Sequence, residues 1–295
     1  MNKNIKCVMK HYSMDDYDNM IHFLIQLNEE SRINSNWNWA RFEWMIGHPY
    51  TNLDTIDSIG LWYFKDTIVA ACVYDMYFGE AAILVLKDFE YLYDEMLEYA
   101  YKYLKDENGL GIAIYDKKAT LLEAALKNGF IIHDQQENIM EIKLDKEFNV
   151  LLPKGIKIEA LDPSSNIDKF LYLMWQGFNH GDDYNEFLNS DDYKLKGKPR
   201  RHFNKELSLV AINEKNEYVA YISLWYIDGL DYAYLEPVCT IPSYRGKGIA
   251  KALIYEGFNR VKDLGANIVY VESDMEFYKR IGFIHKYHYD FYWRK

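Results

Sequence analysis

IPSYRGKGIAKALIYEG, residues 241–257, places an arginine and two closely spaced glycines between a strand-like segment and an amphipathic helix. The segment before it, YAYLEPVCTI (232–241), is rich in aromatic and β-branched residues and stops at Pro242, which cannot continue a sheet ladder. After it, Ile249, Ala250, Leu253, Ile254, Phe258, Val261 and Leu264 recur at helical spacing, with Lys251, Glu256, Asn259, Arg260 and Lys262 on the other face. The glycines therefore open a helix. A helix N-terminus presents unpaired N–H groups and partial positive charge, so the turn reads as an anion site, with Arg245 and Lys247 adding cationic side chains. A P-loop needs G-x-x-x-x-G-K-[ST], which is absent, and a dinucleotide fingerprint needs a third glycine where the chain has Lys251. Several strand-like segments precede the turn without intervening helices, unlike the first turn of a Rossmann unit.

The R-G-K-G-I-A run, carrying Arg245, Gly248 and Ala250, resembles the R/Q-x-x-G-x-G/A motif of the GCN5-related N-acetyltransferase (GNAT) superfamily. FYKRIGF, residues 277–283, resembles the same family's aromatic-Tyr segment with its later Gly-Phe. The resemblance implies a mixed α/β (α+β) fold with a central, mostly antiparallel twisted sheet flanked by helices. It also implies an acyltransferase that uses acetyl coenzyme A (acetyl-CoA) and passes the acetyl group directly to an amine. By the same resemblance Val238, Cys239 and Thr240 line the pantetheine arm, residues 245–250 (Arg245, Gly246, Lys247, Gly248, Ile249, Ala250) cradle the pyrophosphate, and Tyr278 protonates the leaving thiolate. Many members carry an asparagine about two turns before that tyrosine; here the loop VESDMEF is shortened, which leaves Ser273 as the residue expected near the pantetheine.

The base is read from strand alternation. Glu236 lies two and four residues before Val238 and Thr240, so period two puts all three on one face. Glu272, ending the neighbouring strand NIVYVES, is the rival, and many members of the resembled family rely on ordered water instead of a single side chain. Cys239 has no histidine arrangement near it in sequence and reads as a small core residue. In NHGDDYNEFLNSDDY (179–193), where the family builds its acceptor pocket, Asp182, Asp183 and Tyr184 are the candidate contacts to a cationic acceptor.

Composition bounds the rest. The chain has 295 residues, 49% of them hydrophobic, enough for about two domains with substantial cores. A net charge of −11 argues against nucleic-acid partners and suits a small-molecule or peptide amine as acceptor. Three scattered cysteines, Cys7, Cys72 and Cys239, fit neither a disulfide framework nor a metal site. No run approaches a membrane span and the N-terminus lacks a signal-peptide core, so a soluble, cytoplasmic protein with no membrane partner is expected.

The two halves correspond weakly at a period of about 150 residues. Ile5 parallels Ile156, Val69-Ala70 parallels Val219-Ala220, and Gly129-Phe130 parallels Gly282-Phe283. Hairpins are predicted to turn at Lys65-Asp66 and near Glu214 to Asn216, with residues 145–155 as the linker. Where the second half has PSYRGKGIAK, the first runs through KDFEYLYDEM with no glycine, and Ala125 falls opposite Tyr278. Residues 1–150 are thus expected to form a degenerate GNAT-like domain, structural or pocket-forming, and residues 151–295 the catalytic domain. A non-catalytic acyl-CoA-binding or sensing protein is the alternative, and the presence of Tyr278 favours the enzyme.

Overall fold

The computed structural model describes residues 6–48, 51–161, 166–181, 183–185 and 201–295. The chain divides into two compact units, residues 1–139 with 286–295, and residues 140–285. The first comprises β1 (Val8–His11), α1 (Tyr17–Glu30), α2 (Trp39–Gly47), β2 (Gly60–Phe64), β3 (Thr67–Asp75), β4 (Tyr77–Val85), α3 (Tyr93–Tyr103), β5 (Leu110–Tyr115), α4 (Ala119–Lys127) and most of β6 (Ile131–Lys143). The second comprises β7 (Lys157–Ala160), α5 (Ile167–Gly177), β8 (Ser208–Ile212), β9 (Tyr218–Trp225), β10 (Tyr232–Thr240), α6 (Ile249–Asp263), β11 (Ile268–Glu272) and α7 (Glu276–Ile281). The last strand, β12 (Ile284–Arg294), returns to the first unit, where Tyr289 to Arg294 pair antiparallel with Tyr115 to Leu110.

Both units lay their strands in the same sequence, β1-β2-β3-β4-β5 and β7-β8-β9-β10-β11. Neighbours are antiparallel except β4 with β5 and β10 with β11, which are parallel. The repeat read from sequence is visible at its anchors. Val69-Ala70 and Val219-Ala220 occupy the second hairpin strands, and the turns fall at Lys65 and Asn216, both with positive φ. The short helices α4 and α7 end alike: Gly129 and Gly282 are left-handed, and Phe130 and Phe283 donate their N–H to the carbonyls of Ala125 and Tyr278. Ala125 and Tyr278 are therefore structural equivalents, as the Gly-Phe alignment predicts. Ile5 lies outside the described residues.

Two differences from the expected outline have clear physical causes. The segment 145–155, expected as a linker, is anchored. Phe148 is buried against Tyr255 and Phe258, and its backbone exchanges two 2.9 Å hydrogen bonds with the Asn259 amide. The second unit begins at Met140, eleven residues before the expected start at 151, and β12 counts with the first unit because its ladder partner there is β5.

In the second unit the period-two pattern sorts side chains between two helical layers. Leu209 and Ala211 join Leu253 and Phe258 of α6 on one face, whereas Val210 and Ile212 join Leu173 of α5 on the other. Burying both faces explains why β8 and β9 read as almost continuous apolar runs.

Candidate active site

The helical pattern of 249–263 is realised as α6, and the turn before it is built by its two glycines. Gly246 has φ 73° and Gly248 φ 80°, conformations that side-chain-bearing L-residues adopt only with strain. Gly248 caps the helix: its carbonyl accepts the Ala252 N–H. No protein group among the described residues accepts a hydrogen bond from the N–H of Gly246, Lys247 or Gly248. A Cβ built on Gly246 or Gly248 meets nothing within 4 Å. The turn thus leaves three amides without a protein partner among the described residues, with open space beside both glycines, at the positive end of a 15-residue helix, an arrangement that suits an anion.

β10 leads into this turn and is paired with β11 only over Tyr232 to Tyr234; among the described residues the remaining length, to Thr240, pairs with no strand on that side. On its other side it pairs with β9. The Ile241 N–H bonds the Val219 carbonyl, so ladder alternation turns the backbone of Cys239 toward β9 and that of Val238 and Thr240 toward the unpaired edge. The Thr240 carbonyl is taken by Arg245 Nε at 2.9 Å, which leaves the two Val238 groups and the Thr240 N–H facing the gap. Cys239 contributes neither backbone to this edge nor a reactive thiol. Its side chain packs against Gly177 of α5, and burial pushes its pKa up to about 12.

Alternation fails at Glu236. The register shifts between Leu235 and Val238, where Pro237 has no N–H for the ladder, and both Leu235 and Val238 end on the α6 face. Glu236 sits within this shift, so period two cannot put it on the face of Val238. What links it to the site is Tyr278. That tyrosine is 9% exposed and packed edge-on against Phe277 and Phe283; burial first, and the charge of Glu236 second, push its pKa up to about 12. Among the described residues no protein group hydrogen-bonds the Tyr278 hydroxyl. The carbonyl of Glu236 is held by the Trp225 indole N–H at 2.8 Å, a contact that sequence reading missed.

The remaining expected residues divide between engaged and open. The Arg245 guanidinium, expected at the phosphate, donates to the Thr240 carbonyl, the Gly177 carbonyl and Asn179 Oδ1, each at 2.9 Å. Lys247 rests its ammonium 4.7 Å from the centre of the Tyr244 ring, and the Tyr244 hydroxyl is held by buried Asn213 at 2.8 Å. Ser273 Oγ accepts the Met275 N–H in the turn before α7. Ile249 is core, and Ala250 lies in the first helical turn. Glu272 is exposed at the end of β11. Asp183 is exposed, Tyr184 donates to the Asp168 carbonyl and meets the Tyr172 ring edge-to-face, and Asp182 lies outside the described residues.

The first unit has the same frame without the site. Between Leu86 and Tyr93 the chain enters α3 through a 3-10 turn, and no residue there has positive φ. β4 and β5 pair at Glu80–Gly111 and Ala81–Ile112, and beyond those pairs Ile83, Leu84, Ala113, Tyr115 and Tyr289 help line a cavity of only about 20 Å³. Tyr289 forms part of that wall, its hydroxyl donating to the Ile33 carbonyl at 2.6 Å.

Known proteins agree with this architecture. Residues 172–283 match the acetyltransferase (GNAT) family model. The uncharacterized N-acetyltransferase YhbS of Escherichia coli (strain K12) is 30% identical over 88 residues, covering 28% of this chain and 53% of that protein. The chain thus spans about half the length of the curated relatives it matches. Among solved structures, a GCN5-related N-acetyltransferase from Sphaerobacter thermophilus superposes over 98% of this chain and 95% of its own, with TM-score 0.58 and 16% identity. A tandem GNAT protein from the clavulanic acid biosynthesis pathway covers 97% and 98%, with TM-score 0.60 and 11% identity. Residues 172–283 thus resemble the GNAT acetyltransferase family, and the chain as a whole shares its fold with these solved structures. No helix among the described residues is long and apolar enough to cross a membrane.

Proposed function

We propose that the second unit transfers an acetyl group from acetyl-CoA directly to an amine, and that the first unit is a degenerate copy that keeps the scaffold. The observation that carries this reading is the open edge of β10 running into free amides at the N-terminus of α6. Its donor set fits coenzyme A: the amides of residues 246–250 would hold the pyrophosphate, and the outward groups of Val238 and Thr240 would pair with the pantetheine amides. When bound, the cofactor supplies an activated acyl thioester. The net charge of −11 favours a cationic acceptor, a small molecule or a peptide.

Glu236 and Tyr278 are the base and acid of this reading, and their coupling gives the order of events. With a pKa of about 12, Tyr278 keeps its proton at neutral pH. Against a thiol of pKa about 8.5 it is a reluctant donor by roughly three units. Part of that reluctance comes from the negative charge of Glu236. When Glu236 takes a proton from the amine its charge is lost, and Tyr278 becomes a stronger acid as the sulfur needs a proton. Uptake at one residue therefore prepares release at the other.

The test is thiol release from acetyl-CoA across a panel of amines, for the wild type and Tyr278→Phe. A drop in kcat of about 10²-fold or more, with unchanged coenzyme A affinity, is expected of a general acid. Equal rates in both would remove Tyr278 from the mechanism. Coenzyme A binding without release for any amine would support the non-catalytic sensing alternative.

A further inference from the structure

We infer that Arg245 is a positioning residue: its side chain ties the glycine turn to the end of α5 and holds the acceptor-side segment 178–181 in register with the cofactor cradle, instead of binding phosphate. The inference rests on the reading above for what the two sides bind, and on the structure for the tie.

Three segments meet at this guanidinium. Nε donates to Thr240 at the end of β10, and both hydrogens of one terminal nitrogen are spent on the Gly177 carbonyl and Asn179 Oδ1. Gly177 ends α5, so its carbonyl is one of the last, otherwise unpaired, acceptors of the helix, where a cation is favoured. Its lack of a side chain lets the helix end sit directly on β10: a Cβ there would lie 2.8 Å from Cys239 Sγ. Asn179, at φ 59°, turns the chain away from the helix, and beyond it the segment folds back: the His180 N–H bonds the Trp175 carbonyl and the Trp175 indole donates to Gly181. A shift of the turn by an ångström would move Arg245, and with it residues 177 and 179. Cradle occupancy and acceptor-side order are thereby coupled through one side chain.

The experiment is hydrogen exchange at the Phe178, Asn179 and His180 amides, which bond Met174, Gln176 and Trp175, without and with coenzyme A. Arg245→Met removes every donor. Asn179→Gly removes one acceptor at a position glycine suits, and covers the case in which the first variant does not fold. Both should speed exchange at the three amides by about tenfold or more in the cofactor-free protein, the size expected for losing a charged hydrogen bond. Coenzyme A should slow these amides further in the wild type and not in either variant. With an amine from the panel as acceptor, Arg245→Met should raise the acceptor KM far more than the acetyl-CoA KM. Unchanged exchange in Arg245→Met, together with a tenfold or greater loss of coenzyme A affinity, would make Arg245 a phosphate ligand and overturn the tie. If the wild type binds no coenzyme A, the cofactor reading falls, and the cofactor-free comparison still decides whether the tie exists.

Discussion

Gly248→Asp tests the cradle most directly, because backbone strain and charge can be separated by a matched control. Gly248 has φ 80° and Gly229, in the loop before β10, has φ 91°; neither has an atom within 4 Å of a built Cβ. They lie at opposite ends of β10, a nine-residue strand and so about 30 Å long. An L-residue in either place costs about 1–2 kcal/mol through its left-handed backbone, a loss of several degrees in Tm for a chain of this size. Gly248→Asp and Gly229→Asp should therefore destabilise alike. Only the first sets a carboxylate beside the amides of residues 246–250. At about 5 Å from a phosphate oxygen, with an effective dielectric of about 20, the repulsion is about 3 kcal/mol, or roughly two hundredfold in affinity. Calorimetric titration with coenzyme A at low salt should show that loss for Gly248→Asp alone, and a smaller ratio as salt is raised. Equal affinities in the two variants would refute the assignment of the turn.

Three other outcomes follow from the geometry. The Tyr278 phenol is raised from 10.0 to about 12 in the folded chain, so the folded state holds this proton more tightly and the associated stability is present below pH 10 and lost as pH rises toward 12; denaturant titrations should show Tyr278→Phe losing less stability than the wild type across that window, by up to about 2–3 kcal/mol. Gly177→Ala forces a methyl onto Cys239 and should destabilise by about 1–3 kcal/mol, with Cys239→Ala restoring part of it in the double variant, a pattern absent if helix and strand are loosely packed. Deleting residues 286–295 removes the six pairs between β12 and β5 and the buried Tyr289 and Phe291, so the shortened chain should lose cooperative unfolding of the first unit by circular dichroism; a sharp transition near the wild-type Tm would show that β12 is dispensable.

Features governed by neighbours in sequence were legible. Glycines that need positive φ, the two-residue hairpin turn at Lys65-Asp66, the apolar face of α6 and the Gly-Phe helix ends all follow from local sterics and periodicity, and the structure places them where the pattern does. Leu264, counted with the apolar face, is the exception, exposed just beyond the last turn of α6. What escaped reading depends on partners far along the chain. Nothing near Arg245 announces Gly177 and Asn179, more than sixty residues earlier, as its acceptors. Phe148 in a polar stretch was a usable sign that 145–155 is packed, because an aromatic seldom stays in a free linker. Pro237 likewise warned that the alternation from Val238 back to Glu236 would break, since a proline inside a strand marks a bulge or an edge.

The two units show how little of the fold is spent on chemistry. They share strand order, parallel pair and helix-end geometry, so none of these confers a site. The first unit differs from the second at three places: no left-handed turn opens α3, Tyr289 lines a cavity of only about 20 Å³ beside β4, and Ala125 stands where the second unit has Tyr278. Each change alone removes a different requirement, an anion site, room for a ligand and a proton donor. A single Ala125→Tyr exchange should therefore restore no activity to the first unit, because the chain still enters α3 without a left-handed glycine turn. In the proposed reading the second unit needs the glycines, the open edge and Tyr278 together, so removing any one should silence acetyl transfer while leaving the scaffold folded.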